Sequence, residues 1–400
     1  MQMHDAKRGT AESEKWTLRV CDDPAEIDAE AWNALVEAQP TSTPFVKLAY
    51  LRALHASGSA TQETGWAPHF LLLEQEGELV AACPLYLKDH SYGEYVFDWA
   101  WADAYRRHGL DYYPKLLDAI PFTPVPGPRL LARTHEHRLL LLRGIERFAR
   151  SAELSSAHLL FLDEADQTAA RAAGWSMRST VQFHWHNRAP EPYADFADFL
   201  ASLQREKRKK IQQERRRVAE AGITFTTSAG DGISAADWKF FYRCYTLTYR
   251  AHHSTPYLTE DFFARSAKTF AEHWLLFTAW RGGERIACSL IVIDPLQKSA
   301  FGRYWGAVEH VPCLHFDACY YEPLAWCIGN GYRRFEGGAQ GEHKMARGLL
   351  PVQTWSAHWL AHPQFARAID DFLAKEGAGI AEYMNELNDR LPFKAAEPPA

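Results

Sequence analysis

The chain has no paired cysteines, no long apolar run and no large excess of either charge. Seven cysteines lie at 21, 83, 244, 288, 313, 319 and 327. Their odd number and scattered spacing argue against a disulfide framework. They are expected to be small buried residues. Cys313, His315 and Cys319 lack structural-zinc spacing and no second ligand pair follows, so no metal is expected. No stretch approaches a membrane-spanning helix. Met1 to Glu14 is polar without an apolar centre, so no secretory leader and a cytoplasmic location are expected. A net charge of −6 excludes a protein that binds nucleic acid over its whole surface, and any anionic partner needs a local patch. Walker, dinucleotide and Gly-x-Ser-x-Gly motifs are missing, which argues against a P-loop enzyme, a Rossmann dehydrogenase and a serine hydrolase.

What is present is apolar and aromatic. Nearly half of the 400 residues are apolar and 14 are tryptophan, which suits thick cores. The length suggests two domains. Residues 70–87 and 274–293 each read as an apolar strand, a Gly/Glu turn and a second apolar strand carrying a cysteine. Helical patterns precede each hairpin: Ala29–Glu37 and Val46–His55, then Ala235–Arg250 and Glu260–Phe270. A strand is expected after each, at Tyr92–Trp99 and Ala300–Val308. The offset is about half the chain, which fits two copies of one α/β domain. We place the first at 15–180 and the second at 181–394, with loose tails at 1–14 and 395–400.

Chemistry concentrates in Phe335 to Pro351, with four glycines, Glu336, Gln340, Glu342, His343, Lys344 and an arginine. A short strand precedes it. After it, Trp355, Ala357 and Trp359 alternate with Thr354, Ser356 and His358. Polar residues on a glycine-rich loop between strands are favourably placed for catalysis. Upstream, the charged segment Phe196 to Ala221 reads as one helix with an apolar stripe of Leu203, Ile211 and Val218. Its cations suit a phosphate-bearing partner or simply face water. Within Phe301–Gly306, Arg303 sits on a predicted central strand and requires a partner, either Glu336 or a substrate anion. The acid- and aromatic-rich stretch Ser91–Lys115 reads either as an amine-binding surface through Asp98, Asp103, Tyr92 and Tyr113, or as an aromatic interface.

Two α/β copies of this plan resemble tandem acetyltransferase-type (GNAT) domains. The pieces Tyr92-Gly-Glu-Tyr-Val-Phe-Asp98, Tyr112-Tyr-Pro-Lys115, Pro121-Phe-Thr-Pro124, Phe183-His-Trp185, Lys207-Arg-Lys-Lys-Ile211 and Phe335–Lys344 look like the FemAB-like family of predicted N-acyltransferases. The resemblance implies an α/β fold with mixed sheets. Its functionally known relatives, the Fem-type peptidyltransferases, move an amino acid from aminoacyl-tRNA to an amine of a peptidoglycan precursor. It carries the role of a basic residue beside the reacting groups onto Lys344. It carries that of a basic helix onto Lys207, Arg208 and Arg215. Glu94, Trp99, Lys115, Tyr304 and Gln340 are further candidates for substrate contact. The glycine-rich pyrophosphate loop of acetyl-CoA enzymes is missing, because Glu309 to Phe316 contains no glycine.

The expected reaction is therefore transfer of an acyl or aminoacyl group from an activated donor to an amine. The donor is aminoacyl-tRNA or acyl-CoA, with no certain cofactor. Lys344 and Arg303 would stabilise developing charge, while Glu336, Glu342 or His343 would orient or deprotonate the amine. A non-catalytic scaffold recognising RNA or a phosphate-bearing ligand through the basic helix is the alternative from another class, and acyl-CoA transfer with an atypical CoA site is a third.

Overall fold

The computed structural model describes residues 16–338 and 341–394. They divide into two compact units. One takes the residues up to Thr180 together with Thr354–Ala381, and the other takes Val181–Gln353 and the residues from Glu382 onward. The chain thus returns to the first unit near its end, whereas the sequence suggests a second domain running unbroken over 181–394.

In the first unit, Trp16–Cys21, Phe70–Gln75, Glu78–Cys83 and Leu131–Ala132 pair in that order. A second group runs from the end of Leu350–Leu360 through Ser156–Leu159, Lys115–Asp118 and Leu85–Lys88 to Ala67–Pro68. Helix His135–Ser151 buries Leu141, Leu142, Gly144, Ile145 and Ala149, a spacing that keeps one face inward. Gly144 lets the helix approach the first strand, since a Cβ there would meet Leu18 Cδ2 at 2.5 Å. Leu71, Leu85, Leu116 and Leu159 join the same core.

In the second unit, Ile223–Ala229, Trp274–Arg281, Glu284–Asp294 and Ser299–Ala307 form an antiparallel meander. The last strand pairs in parallel with Arg334–Glu336, which pairs antiparallel with His184–His186 at the end of Ser176–His186. Helix Ala235–Ala251 starts on a Ser234/Asp237 capping box. It packs so closely on the Ser299–Ala307 strand that a Cβ at Gly306 would lie 2.2 Å from the Cys244 carbonyl oxygen.

The two expected hairpins form. Their turns, Glu76-Gly77 and Gly282-Gly283, have positive φ at both central residues, the geometry that matches strand twist. Each hairpin also has a register shift just before its turn, at Leu73/Glu74 and Ala279/Trp280.

Two local expectations fail. Tyr92–Trp99 is not a strand: it turns through positive φ at Gly93 and Tyr95 and leads into helix Trp99–Arg107. The segment Phe196 to Ala221 is two helices, Phe196–Ser202 and Arg205–Glu220, separated where Leu203 and Gln204 are extended. The glycine loop carries a 3₁₀ segment, Glu342–Arg347. A π turn, Asp317–Tyr321, lies directly ahead of the helix Glu322–Gly329 that contains Pro323. Such turns frequently mark functional positions. No described helix is long and apolar enough to cross a membrane.

Candidate active site

The second unit's sheet opens where two parallel strands part. Ser299, Ala300 and Phe301 pair with Arg334, Phe335 and Glu336. Beyond Phe301 the longer strand continues to Ala307 against its other neighbour. On that side Leu290 faces Tyr304 and Ile291 faces Gly302, so Arg303 is the extra residue of a bulge. Bulges bend a strand and re-aim its side chains. A cavity of about 140 Å³ lies in the opening, lined by Ser289, Gly302, Arg303, Tyr304, Cys319, Tyr320 and Gly337 among others. A cleft of about 600 Å³ adjoins it, and Trp305 and His315 line both.

Lys344 lies beside this cavity, on the 3₁₀ segment. Its Nζ donates to the Gly338 carbonyl oxygen at 3.1 Å. Gly337 leaves room for it, because a Cβ at Gly337 would meet Leu349 Cδ2 at 2.4 Å and Lys344 Cδ at 3.4 Å. Burial pulls the Lys344 ammonium down to about 8, with Cys319 opposing. Burial pushes the Cys319 thiol up to about 12. His343 is exposed, with Nε2 3.4 Å from the Tyr320 hydroxyl. Burial, Arg347 and Lys344 lower its pKa. Glu342 is also exposed and accepts from the Tyr383 hydroxyl at 2.8 Å. Gln340 lies outside the described residues.

Alternation along Arg334–Glu336 sends Phe335 toward the cavity and Glu336 to the other face. There Glu336 is buried, 3.3 Å from Arg334 Nε and 3.8 Å from His184 Nε2. Burial pushes its carboxyl up to about 7, with Arg334 and Arg303 opposing. Burial and Arg334 pull His184 down to about 3, so it is neutral and its ring accepts or donates by tautomer. Arg303 donates to the Tyr304 hydroxyl at 3.3 Å. Glu336 and Lys344 therefore sit in separate surroundings, with Arg303 lining the cavity and also acting on Glu336.

The basic helix Arg205–Glu220 turns part of its charge inward. Glu214 is buried and receives Arg347 Nη2 at 3.1 Å and the Tyr321 hydroxyl. Arg347 also donates to the His343 carbonyl oxygen at 2.7 Å, and its guanidinium lies 3.5 Å from the Phe316 ring centre. Arg215 is engaged by Asp317 at 3.1 Å and by Glu322. Its location beside two acids fits a structural clamp. Lys207 and Arg208 are half-buried on the same helix.

The first unit gathers the other candidates around Lys115, which is fully buried. Its Nζ donates to Ser91 Oγ at 2.8 Å, to Glu94 Oε2 at 2.8 Å and to Asp98. Burial opposes this ammonium, but the two carboxylates more than offset it and raise its pKa. Burial pushes Glu94 up to about 7. For Asp98 the upward push of burial is overcome by Lys115, His158 and hydrogen bonds, which hold it well below the usual range. Tyr113 shares a 2.8 Å hydrogen bond with Ser91. Tyr92 and Trp99 are exposed, their rings 5.1 Å apart. Asp103 is half-buried and paired with Arg106 and Arg107.

Sequence reasoning missed Glu214, Arg347, His184 and a chain running from Lys115 into the first unit. In that chain Tyr112 donates to Asp98 at 2.7 Å and meets His158 Nε2 at 3.0 Å, and His158 Nδ1 lies 2.8 Å from His358 Nδ1. Both histidines have pKa values lowered chiefly by burial. The available signal was histidine alternating with apolar residues on strands, as in Phe183-His184-Trp185. Among the described residues no group of three His, Cys, Asp or Glu side chains forms a metal cluster.

Residues 23–395 match the model of the FemAB-like family, described as peptidoglycan biosynthesis/recognition. No curated protein matches the chain. Three solved structures each superpose with a TM-score of 0.54. The C-terminal domain of a putative lysylphosphatidylglycerol synthetase from Agrobacterium fabrum is 12% identical, covering 86% of this chain and 95% of that one. The L-PGS of Bacillus licheniformis is 11% identical, covering 90% and 98%. FemX is 10% identical, covering 86% and 99%. At such identities the likeness is one of fold: a mixed α/β chain of tandem GNAT-like domains.

Proposed function

The chain belongs to the FemAB-like family, and on that premise we propose that it is an N-acyltransferase, passing an acyl or aminoacyl group from an activated ester or thioester to an amine. The observation that carries this reading is the parted strand pair, with a cavity in the opening and a buried lysine beside it. Open strand edges offer unpaired backbone groups to a substrate amide or ester, and a low-dielectric pocket strengthens a cation's hold on developing negative charge.

In this reaction the amine nitrogen attacks the donor carbonyl carbon and forms the new C–N bond. The bond from that carbon to the donor's oxygen or sulfur breaks, and the leaving group takes the proton lost by the amine. The tetrahedral intermediate carries negative charge on oxygen. Lys344 and the bulged Arg303 supply positive charge to it. Glu336 acts as a positioning residue for Arg303 across the strand, rather than as the base. The amine acceptor and the activated donor are the partners this reading requires, a peptidoglycan-related precursor being the acceptor suggested by the family's description.

The test is to incubate the protein with charged tRNA or acyl-thioester pools and amine acceptors, and to look for a new amide by mass spectrometry. Amide should appear with the wild type and fall by about 100-fold or more with Lys344→Met, the usual scale for removing a transition-state charge partner. An unchanged rate in a folded Lys344→Met protein, or no amide from any donor, would overturn the assignment.

A further inference from the structure

Resting on the acyl-transfer reading, we propose that the cleft beside the reaction cavity holds the donor's acyl group as an uncharged, apolar chain, and that the donor is not recognised there through a diphosphate. Continuity comes first. The 600 Å³ cleft and the reaction cavity share Trp305 and His315, whose rings meet edge-on at 5.3 Å. A group seated in the cleft therefore lies against the same two rings that line the opening where the carbonyl must sit.

Charge comes second. The described lining includes no lysine or arginine. Its one carboxylate, Glu309, is engaged by Arg281, and the imidazoles of His252, His310 and His315 complete its ionisable nitrogen groups. Leu247, Ala251, Ala307, Val311, Leu314 and Phe316 supply apolar walls. His315 is kept neutral by burial and by the nearby cations, which pull it down to about 4. A diphosphate placed here would find no lysine or arginine in the described lining to pair with.

Backbone donors come third. A phosphate cradle at a helix start needs free N–H groups. Here Pro312 has none, and the amides of Leu314 and Phe316 already bond the carbonyls of Val311 and Cys313. Cys313 also has a φ of 67°, so a side chain occupies the positive-φ position at which a glycine would let a phosphate approach.

The probes are N-acetylcysteamine thioesters with four-, eight- and ten-carbon acyl chains, which carry no nucleotide, measured by isothermal titration on the full-length protein. Each buried methylene should tighten binding by up to about fourfold, so the eight-carbon thioester should bind at least tenfold tighter than the four-carbon one. CoA and adenosine 3′,5′-diphosphate should not compete. Ala251→Trp, which fills the cleft from the end of helix Ala235–Ala251, should abolish the gain with chain length. Affinity independent of chain length, or competition by CoA or adenosine 3′,5′-diphosphate, would overturn the proposal. Because the readout is binding, it stands or falls separately from amide formation, which alone tests the catalytic reading.

Discussion

Replacing Lys344 by methionine keeps most of the side-chain volume and removes the charge, which separates the role of the ammonium from that of packing. Lys344 is 5% exposed, and burial pulls its pKa from 10.5 to about 8. Each tenfold change in proton affinity is worth about 1.4 kcal/mol, so holding this lysine charged in the folded protein costs about 3 kcal/mol at neutral pH. The sign follows from proton binding. Between about pH 8 and 10.5 the unfolded chain keeps the proton and the folded chain has lost it. Wild-type stability therefore rises with pH across that window, and the full cost applies below it. The methionine variant has no such slope. The stability difference between the two proteins should shift by about 2 kcal/mol in favour of wild type between pH 7 and pH 9.5. Loss of the bond to Gly338 offsets part of the variant's gain at pH 7, so the shift with pH is the sharper quantity. Urea denaturation of both proteins at the two pH values measures it. Parallel curves at both pH values would refute the idea that a desolvated ammonium sits beside the cavity. A variant that is inactive yet no less stable at pH 7 would show stability given up for function.

Glu336 should behave in the opposite direction. Its folded pKa, about 7, lies above the ordinary 4.5, so the stability it contributes is present below pH 4.5 and lost as pH rises through 7. Glu336→Gln should match wild type near pH 5 and exceed it by up to about 3 kcal/mol at pH 8 in thermal or urea unfolding; a gap that does not widen with pH would contradict that burial. Glu214→Gln should leave the buried Arg347 guanidinium without its counter-charge, costing about 3–5 kcal/mol. In samples still folded at low temperature it should also lower kcat more than it raises KM, because Arg347 holds the His343 carbonyl in the turn that carries Lys344. Unchanged kcat in folded Glu214→Gln protein would reduce this clamp to a purely structural role.

Much of this was legible because it rests on local chemistry. The two hairpins announce themselves through Glu-Gly and Gly-Gly turns between apolar runs, and the glycine loop marks the segment that carries Lys344. What was not legible depends on partners distant in sequence. Tyr92–Trp99 alternates like a strand, yet Gly93 and Tyr95 turn the chain so that Glu94 and Asp98 reach Lys115. Glu214 looks like one more surface acid on a charged helix until Arg347 and Tyr321 are brought against it. Glu336 and Lys344 lie eight positions apart on one loop, but strand alternation gives them different surroundings.

The return of the chain to its first unit has a consequence for how the protein is made. Strand Ser156–Leu159 pairs on one side with Lys115–Asp118 and on the other with residues 357–360. His158 bonds His358, which follows 200 residues later. At ribosomal speeds of about 5–20 residues per second, that edge waits roughly 10–40 s for its partner. During this interval an open strand is available for pairing with other chains. The first unit should therefore depend on chaperone cover until the last part of the polypeptide emerges. A stop placed after Gln353 would take from the first unit its returning segment Thr354–Ala381 and from the second its residues beyond Glu382, so both would be left incomplete.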